Sequence, residues 1–202
     1  MIRTQKQKEK TQKSGKSYFF VKTTKELINE YISKKHDIYL PLAKPYKGIE
    51  KKLPVDPYVL GVWIGDGCKD GVSFCISNDE SDIIEKLARI LGTKYTLHHN
   101  YNYSNILWRN DNVRKAEEYL KKIGLNDYSR NRFIPKEYLN ASIEQRLELL
   151  KGLMDSDGDV SNKNRFSFST TSEKLKDDFL ELCRSLGYIA TANLDNRTRY
   201  IS

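Results

Sequence analysis

Asp155, Asp157 and Asp159 crowd into one short run, LLKGLMDSDGDV (residues 149–160), at the tail of an apolar helix pattern. Carboxylates this close repel one another, and the carboxyl end of a helix is already partially negative, so the run needs a cation or open solvent. Calcium fits poorly. Counted from Asp155, an EF-hand loop needs a glycine sixth and a bidentate Glu twelfth, and Val160 and Phe166 stand at those places. Two other chemistries fall away. His98-His99-Asn100 sits in a strand pattern without the partners of a His-Asn nuclease, and Cys68 and Cys75 lie seven positions apart with no nearby His pair for zinc.

An internal repeat supplies the missing partner acid. GVWIGDG (residues 61–67) aligns with GLMDSDG (152–158) at an offset of 91, so Asp66 falls on Asp157. LARILG (87–92) aligns with LCRSLG (182–187) at an offset of 95, which places an insertion around SNKN (161–164). Each copy reads as an apolar helix ending in Asp-Gly, over 55–66 and then 143–157. A strand follows, VSFCIS or RFSFSTT, with Phe166 and Phe168 alternating with Arg165, Ser167 and Ser169. Next come an amphipathic helix (79–91, 172–186) closed by Gly92 or Gly187, and a polar hairpin. Copy one adds a last helix, NVRKAEEYLKKIGL, with no counterpart before Ser202, which marks the chain as a piece of something longer.

Gly61 and Gly65, and Gly152 and Ser156, are small residues one turn apart on each Asp-Gly helix. Such faces let two helix backbones approach closely. If the two helices pack through them, Asp66 and Asp157 meet at one end, and hard carboxylate oxygens select Mg²⁺ or a similar ion.

Composition bounds the rest. At 202 residues and 38% hydrophobic, the chain can bury a core, and no apolar run nears the ~20 residues of a membrane span. The opening MIRTQKQKEK lacks a secretory h-region, and three cysteines form no disulfide framework; together these point to a reduced, intracellular, cytoplasmic setting. Net charge is +8, and residues 1–57 hold 14 Lys/Arg against 6 Asp/Glu, so the excess lies wholly in the N-terminal arm. Its RTQKQKEKTQKSGK stretch is expected to be disordered when free, either as a solvated tail or as an arm that grips nucleic acid.

YVLGVWIGDG (58–67) and LLKGLMDSDG (149–158), with RFIPKEYL (132–139) between them and SFSTTSEKL after, resemble the LAGLIDADG homing endonucleases, especially those embedded in inteins. The resemblance covers residues 53–202; neither a splicing nucleophile nor a His-Asn ending is present. It implies an α+β fold: a pseudo-two-fold monomer of αββαββα repeats, two antiparallel sheet saddles over DNA, and a second repeat lacking its last helix. The implied organisation is a basic arm from the splicing side (1–52), a first repeat (53–142) and a truncated second repeat (143–202). Asp66 and Asp157 would bind Mg²⁺ or Mn²⁺, aided by the carbonyls of Gly65 and Ser156, and activate water to cleave one strand each of double-stranded DNA. The family commonly has a Lys before its hydrophobic-Ile-Pro; Arg132 stands there, with Lys136 as a displaced substitute. Arg132 keeps the charge but cannot lose a proton at working pH.

Hairpin and strand residues offer donors and acceptors for groove edges: Lys94, Thr96, His98 and Asn100; Arg165, Ser167 and Ser169; and Asn193. Arg197 and Arg199 suit phosphates, and Lys69 and Lys163 are further candidate DNA-binding residues. Solvent exposure explains the same polar faces equally well. A cleavage-inactive DNA-binding module, or an RNA maturase of the same fold, remains the alternative, as does a structural domain with no nucleic-acid partner.

Overall fold

The computed structural model describes residues 3–4, 22–34, 38–39, 43–68, 74–77, 80–96, 105–161 and 165–194. The chain divides into two compact units, residues 1–44 and 45–202.

In the first unit, β1 (Arg3–Thr4) pairs antiparallel with β2 (Ile38–Tyr39), and α1 (Thr24–Lys34) lies between them in sequence. The start of α1 is fixed by a reciprocal cap. Thr23 Oγ1 accepts from the Glu26 N–H at 3.3 Å, while the Glu26 carboxylate accepts from the Thr23 N–H at 2.7 Å. The main-chain N–H of Thr23 holds the Glu26 carboxyl below the usual range. The expectation of a disordered opening is corrected at Arg3–Thr4, which are paired; residues 5–21 lie outside the described ones.

The second unit is α+β. Its helices are α2 (Pro57–Asp66), α3 (Ser81–Leu91), α4 (Asp111–Lys122), the short α5 (Lys136–Leu139), α6 (Ile143–Asp157) and α7 (Glu173–Ser185). Strands β3 (Cys75–Ile76), β5 (Asn105–Leu107) and β4 (Tyr95–Thr96) form an antiparallel sheet in the order β3-β5-β4. Strands β6 (Gly158–Ser161) and β7 (Arg165–Phe168) form a separate antiparallel pair.

Helix α2 opens on Asp56, whose side chain accepts from the Tyr58 and Val59 N–H groups at 2.9 and 3.3 Å, with Pro57 in the first turn. Every residue from Pro57 to Ile64 is buried, because a helix apolar all round has no solvent face to offer. Helix α6 opens on a capping box, Ser142 with Gln145. The core spans both helices and the elements around them: Trp63 lies against Phe74 at 4.6 Å, and Leu87, Leu107, Leu120 and Leu182 close it.

Residues 45–56 run over α5 and α6 as an irregular strap. Gln145 bonds both main-chain groups of Lys51 (3.0 and 2.6 Å), and the Tyr138 hydroxyl bonds both of Val55 (3.0 and 2.8 Å). Buried Arg146 donates to the Ser185 and Tyr46 carbonyls. These side chains satisfy backbone groups that no strand partner reaches, and the boundary between the units accordingly falls at Lys44–Pro45.

Of the stretch expected as a hairpin after α7, residues 188–194 run irregularly and residues 195–202 lie outside the described ones. Phe166, which alternates with Arg165 and Ser167 along its strand, is 71% exposed opposite Val160 at 63%. Among the described residues the β6–β7 ribbon has two strands, and α7 covers one end of it, through Phe168 stacked on Phe179 at 4.3 Å.

Candidate active site

The site begins with glycines. A Cβ on Gly61 would come within 2.4 Å of the Leu149 carbonyl oxygen, and one on Gly152 within 2.3 Å of the Tyr58 carbonyl oxygen. Those atoms are main chain, so α2 and α6 touch backbone to backbone. Farther along, Gly65 faces Ser156: a Cβ there would lie 2.0 Å from the Ser156 hydroxyl oxygen. The two helices therefore run side by side in the same direction. The Ser156 hydroxyl folds back on the Gly152 and Leu153 carbonyls, both at 3.0 Å, so the one side chain that fills the seam opposite Gly65 spends its donor within its own helix.

Each helix ends on an acid, Asp66 and Asp157, followed by a glycine that turns into the next strand. The two ends share a main-chain pattern. The Asp66 carbonyl accepts from the Ser77 N–H at 2.7 Å, and the Asp157 carbonyl from the Ser169 N–H at 3.4 Å. Gly67 bridges Ile76, and Gly158 pairs with Phe168. Although Asp157 as a residue is exposed, its carboxylate leans against α2, where a Gly65 Cβ would stand 3.3 Å away. That burial raises its pKa, and the nearby Arg132 charge offsets part of the shift.

Arg132 is 4% exposed and spends its guanidinium on the end of α2. Nη1 donates to the carbonyls of Trp63 (2.7 Å), Ile64 (2.6 Å) and Gly65 (2.8 Å), and Nη2 to Gly67. Burial lowers its pKa, while the carboxylates of Asp157 and then Asp66 pull it back up. Both carboxylates thus act on the one guanidinium. The Gly65 carbonyl, anticipated as a metal ligand, already accepts from Arg132. Lys136 stands exposed on α5, and the charge felt by Asp157 is Arg132's.

Asp155 has a separate task. It accepts from the buried Tyr58 hydroxyl at 2.8 Å, and Lys86 lies 3.4 Å over the Tyr58 ring and 3.8 Å from the Asp155 carboxylate. Burial and this bond push the Tyr58 phenol far above its ordinary range. Asp159 sits exposed opposite Ser167 in the ribbon.

Lys94 and Thr96 share one face through Trp108: its ring lies 5.8 Å from Lys94 Nζ, and its indole N–H donates to the Thr96 hydroxyl at 2.8 Å. Trp108 is 54% exposed, beside Arg109, and only the closing of the hairpin reveals its place on that face. Arg165, Ser167 and Ser169 are exposed along β7 and just beyond it; Asn193 is exposed in the irregular stretch. Lys69, His98, Asn100, Lys163, Arg197 and Arg199 lie outside the described residues.

An acid pair of this kind suits Mg²⁺ or Mn²⁺. Both ions take hard oxygens, and Mg²⁺ commonly binds one or two carboxylates while keeping waters for substrate phosphates. Among the described residues no group of three or more His, Cys, Asp or Glu side chains could hold a metal.

Residues 144–201 match the family model described as a LAGLIDADG-like domain, a span that starts on α6 and runs through the β6–β7 ribbon and α7. Over 140 residues (69% of this chain), the chain is 34% identical to the replicative DNA helicase DnaB of Mycobacterium intracellulare, of which it covers 20%. It is 34% identical over 159 residues (71%) to the ATP-dependent DNA helicase Hel308 of Thermococcus kodakarensis, covering 14% of that protein. An uncharacterized protein of Methanocaldococcus jannaschii matches 188 residues (83%) at 30% identity, and 21% of its length is covered. The chain thus spans about a fifth or less of each of these relatives. Among the described residues no helix is long and apolar enough to cross a membrane.

Proposed function

We propose that this chain is a LAGLIDADG homing endonuclease of the intein-embedded type, a monomer built from two repeats (53–142 and 143–202) that binds and cleaves double-stranded DNA. The observation that supports the reading is the glycine seam, along which α2 and α6 lie backbone to backbone up to the helix ends that carry Asp66 and Asp157. A divalent cation held by this pair would make hydroxide available near neutral pH and steady the leaving oxygen. Asp66 and Asp157 supply the carboxylate oxygens, and Arg132 balances part of their charge from the dry side of the seam. The exposed polar residues of β4 and β7 face a groove, and the basic arm adds phosphate contacts.

Insertion into host proteins is supported by how the matches fall. One segment covers most of this chain but a small part of two differently named helicases, as an element carried within unrelated hosts does. The alternative, a binding-only module or RNA maturase, draws support from Arg132: its Nη bonds go to main-chain carbonyls and not toward a substrate phosphate.

The test is a plasmid carrying the parent gene with this element's coding sequence removed, incubated with Mg²⁺. Linear product from the unsubstituted chain and none from Asp157→Asn supports the reading; equal cutting by both refutes the role of Asp157. DNA affinity is expected to fall ~10³-fold or more between about 50 and 200 mM salt if six or more phosphates are neutralised. Deleting residues 1–17 should flatten that slope.

A further inference from the structure

We propose that Arg132 is a positioning residue, gripped from α7 by Ser172 and Asp178, that fixes the carboxyl end of α2 and so the place of Asp66 beside Asp157. The last turn of a helix leaves carbonyls without intrahelical partners and carries partial negative charge. Arg132 answers both needs, bonding the carbonyls of Trp63, Ile64, Gly65 and Gly67. Asp66 lies inside that bonded stretch, and its own carbonyl is held by the Ser77 N–H. The acid is therefore fixed by main-chain bonds on both sides.

The guanidinium reaches this place because the backbone around Phe133 is pinned at two points. The Ser172 hydroxyl donates to the Arg132 carbonyl at 2.6 Å while accepting the Leu175 N–H at 3.1 Å as the cap of α7. The Asp178 Oδ2 accepts from the Ile134 N–H at 2.9 Å, and its other oxygen pairs with Lys174. Both side chains are buried, at 1% and 3% exposure. An ordinary cap serine serves only its own helix, whereas this one also holds the loop that carries Arg132. The first two turns of α7 thus set the geometry of an acid that belongs to α2.

The cleavage readout rests on the nuclease reading, so a second readout does not. Single-turnover cleavage would be measured at saturating DNA, together with the half-saturating DNA concentration, at a temperature where circular dichroism shows every variant folded. Ser172→Ala and Asp178→Ala are expected to slow the step by roughly 10-fold or more, as outer-shell changes do, with little change in half-saturation. Ser172→Thr and Asp178→Asn each keep an oxygen for the bond and should recover most of the lost rate. In an Arg132→Lys background, Ser172→Ala should add nothing further, because both act through one contact. The independent readout is the Arg132 Nε–H resonance, assigned by its loss in Arg132→Lys, which should be sharp and slow to exchange and should broaden in Ser172→Ala. Wild-type rates and an unmoved resonance in Ser172→Ala and Asp178→Ala would overturn the proposal, as would additive loss in the double variant. A chain that cuts no DNA while the resonance responds would sink the nuclease reading and leave the positioning role standing.

Discussion

Helices α2 and α6 end in the same two residue types, Asp then Gly, yet in different surroundings. The end of α2 is half-buried and held from outside: Arg132 bonds its carbonyls, and Trp63 lies on the fully buried Phe74. The end of α6 is held from within by the Ser156 hydroxyl on the Gly152 and Leu153 carbonyls, and Asp155 ties it to Tyr58 at the start of α2. Phe166, two residues before the partner of Gly158 as Phe74 is two before that of Gly67, stands 71% exposed. The comparison teaches that the short motif decides where an acid is presented. The rest of the chain decides what dielectric and which cation that acid meets.

The comparison can be broken at the seam itself, where the expected effect is largest. Gly152→Ala drives a Cβ into the Tyr58 main chain and should cost about 3 kcal/mol in urea unfolding; a neutral outcome would mean that the two helices do not touch there. Next comes the outside cation. Arg132→Met should cost about 2 kcal/mol, since bonds from a charged donor are worth about that much, whereas Ser156→Ala should cost less than about 1 kcal/mol. Equal losses would erase the contrast between the two ends. Tyr58→Phe, which removes the hydroxyl held by Asp155, should cost about 1 kcal/mol.

The smallest expected effect has the opposite sign. Burial raises the Asp157 pKa above its ordinary 3.8. The fold therefore favours the protonated acid, and the stability this adds is present below that ordinary value and lost as pH rises through the raised one. At neutral pH the ionised carboxylate is a cost that Asn does not carry. Asp157→Asn should therefore raise the melting temperature at pH 7, with the gain vanishing on acidification below about pH 4. Saturating Mg²⁺ should narrow the difference, because only the acid gains from the cation. A rise that is the same at both pH values would show that the carboxylate is not desolvated.

Much of this frame is written in local signals. Asp56-Pro57, the Ser142–Gln145 box and the two Asp-Gly pairs fix the ends of α2 and α6, and the spacing of Gly61, Gly65, Gly152 and Ser156 marks the contact face. The helix α1 was legible too, in Thr23-Thr24-Lys25-Glu26, but the high charge of the arm hides that cap behind a disorder-like composition. What could not be read is long-range. Arg132 meets α2 carbonyls more than sixty positions upstream, and nothing around it in sequence says that its donors go to main chain. Ser172 reads as an ordinary cap and Asp178 as an ordinary surface acid of an amphipathic helix. Alternation in RFSFSTT names a face for Phe166 but not whether anything covers it.

The most direct test of the central claim is a crystal of this chain soaked in Mn²⁺ and measured at the manganese absorption edge. The account predicts an anomalous peak in contact with both the Asp66 and the Asp157 carboxylates, lost in Asp157→Asn. Two carboxylates too far apart to share a cation, or manganese bound elsewhere and at neither acid, would contradict it.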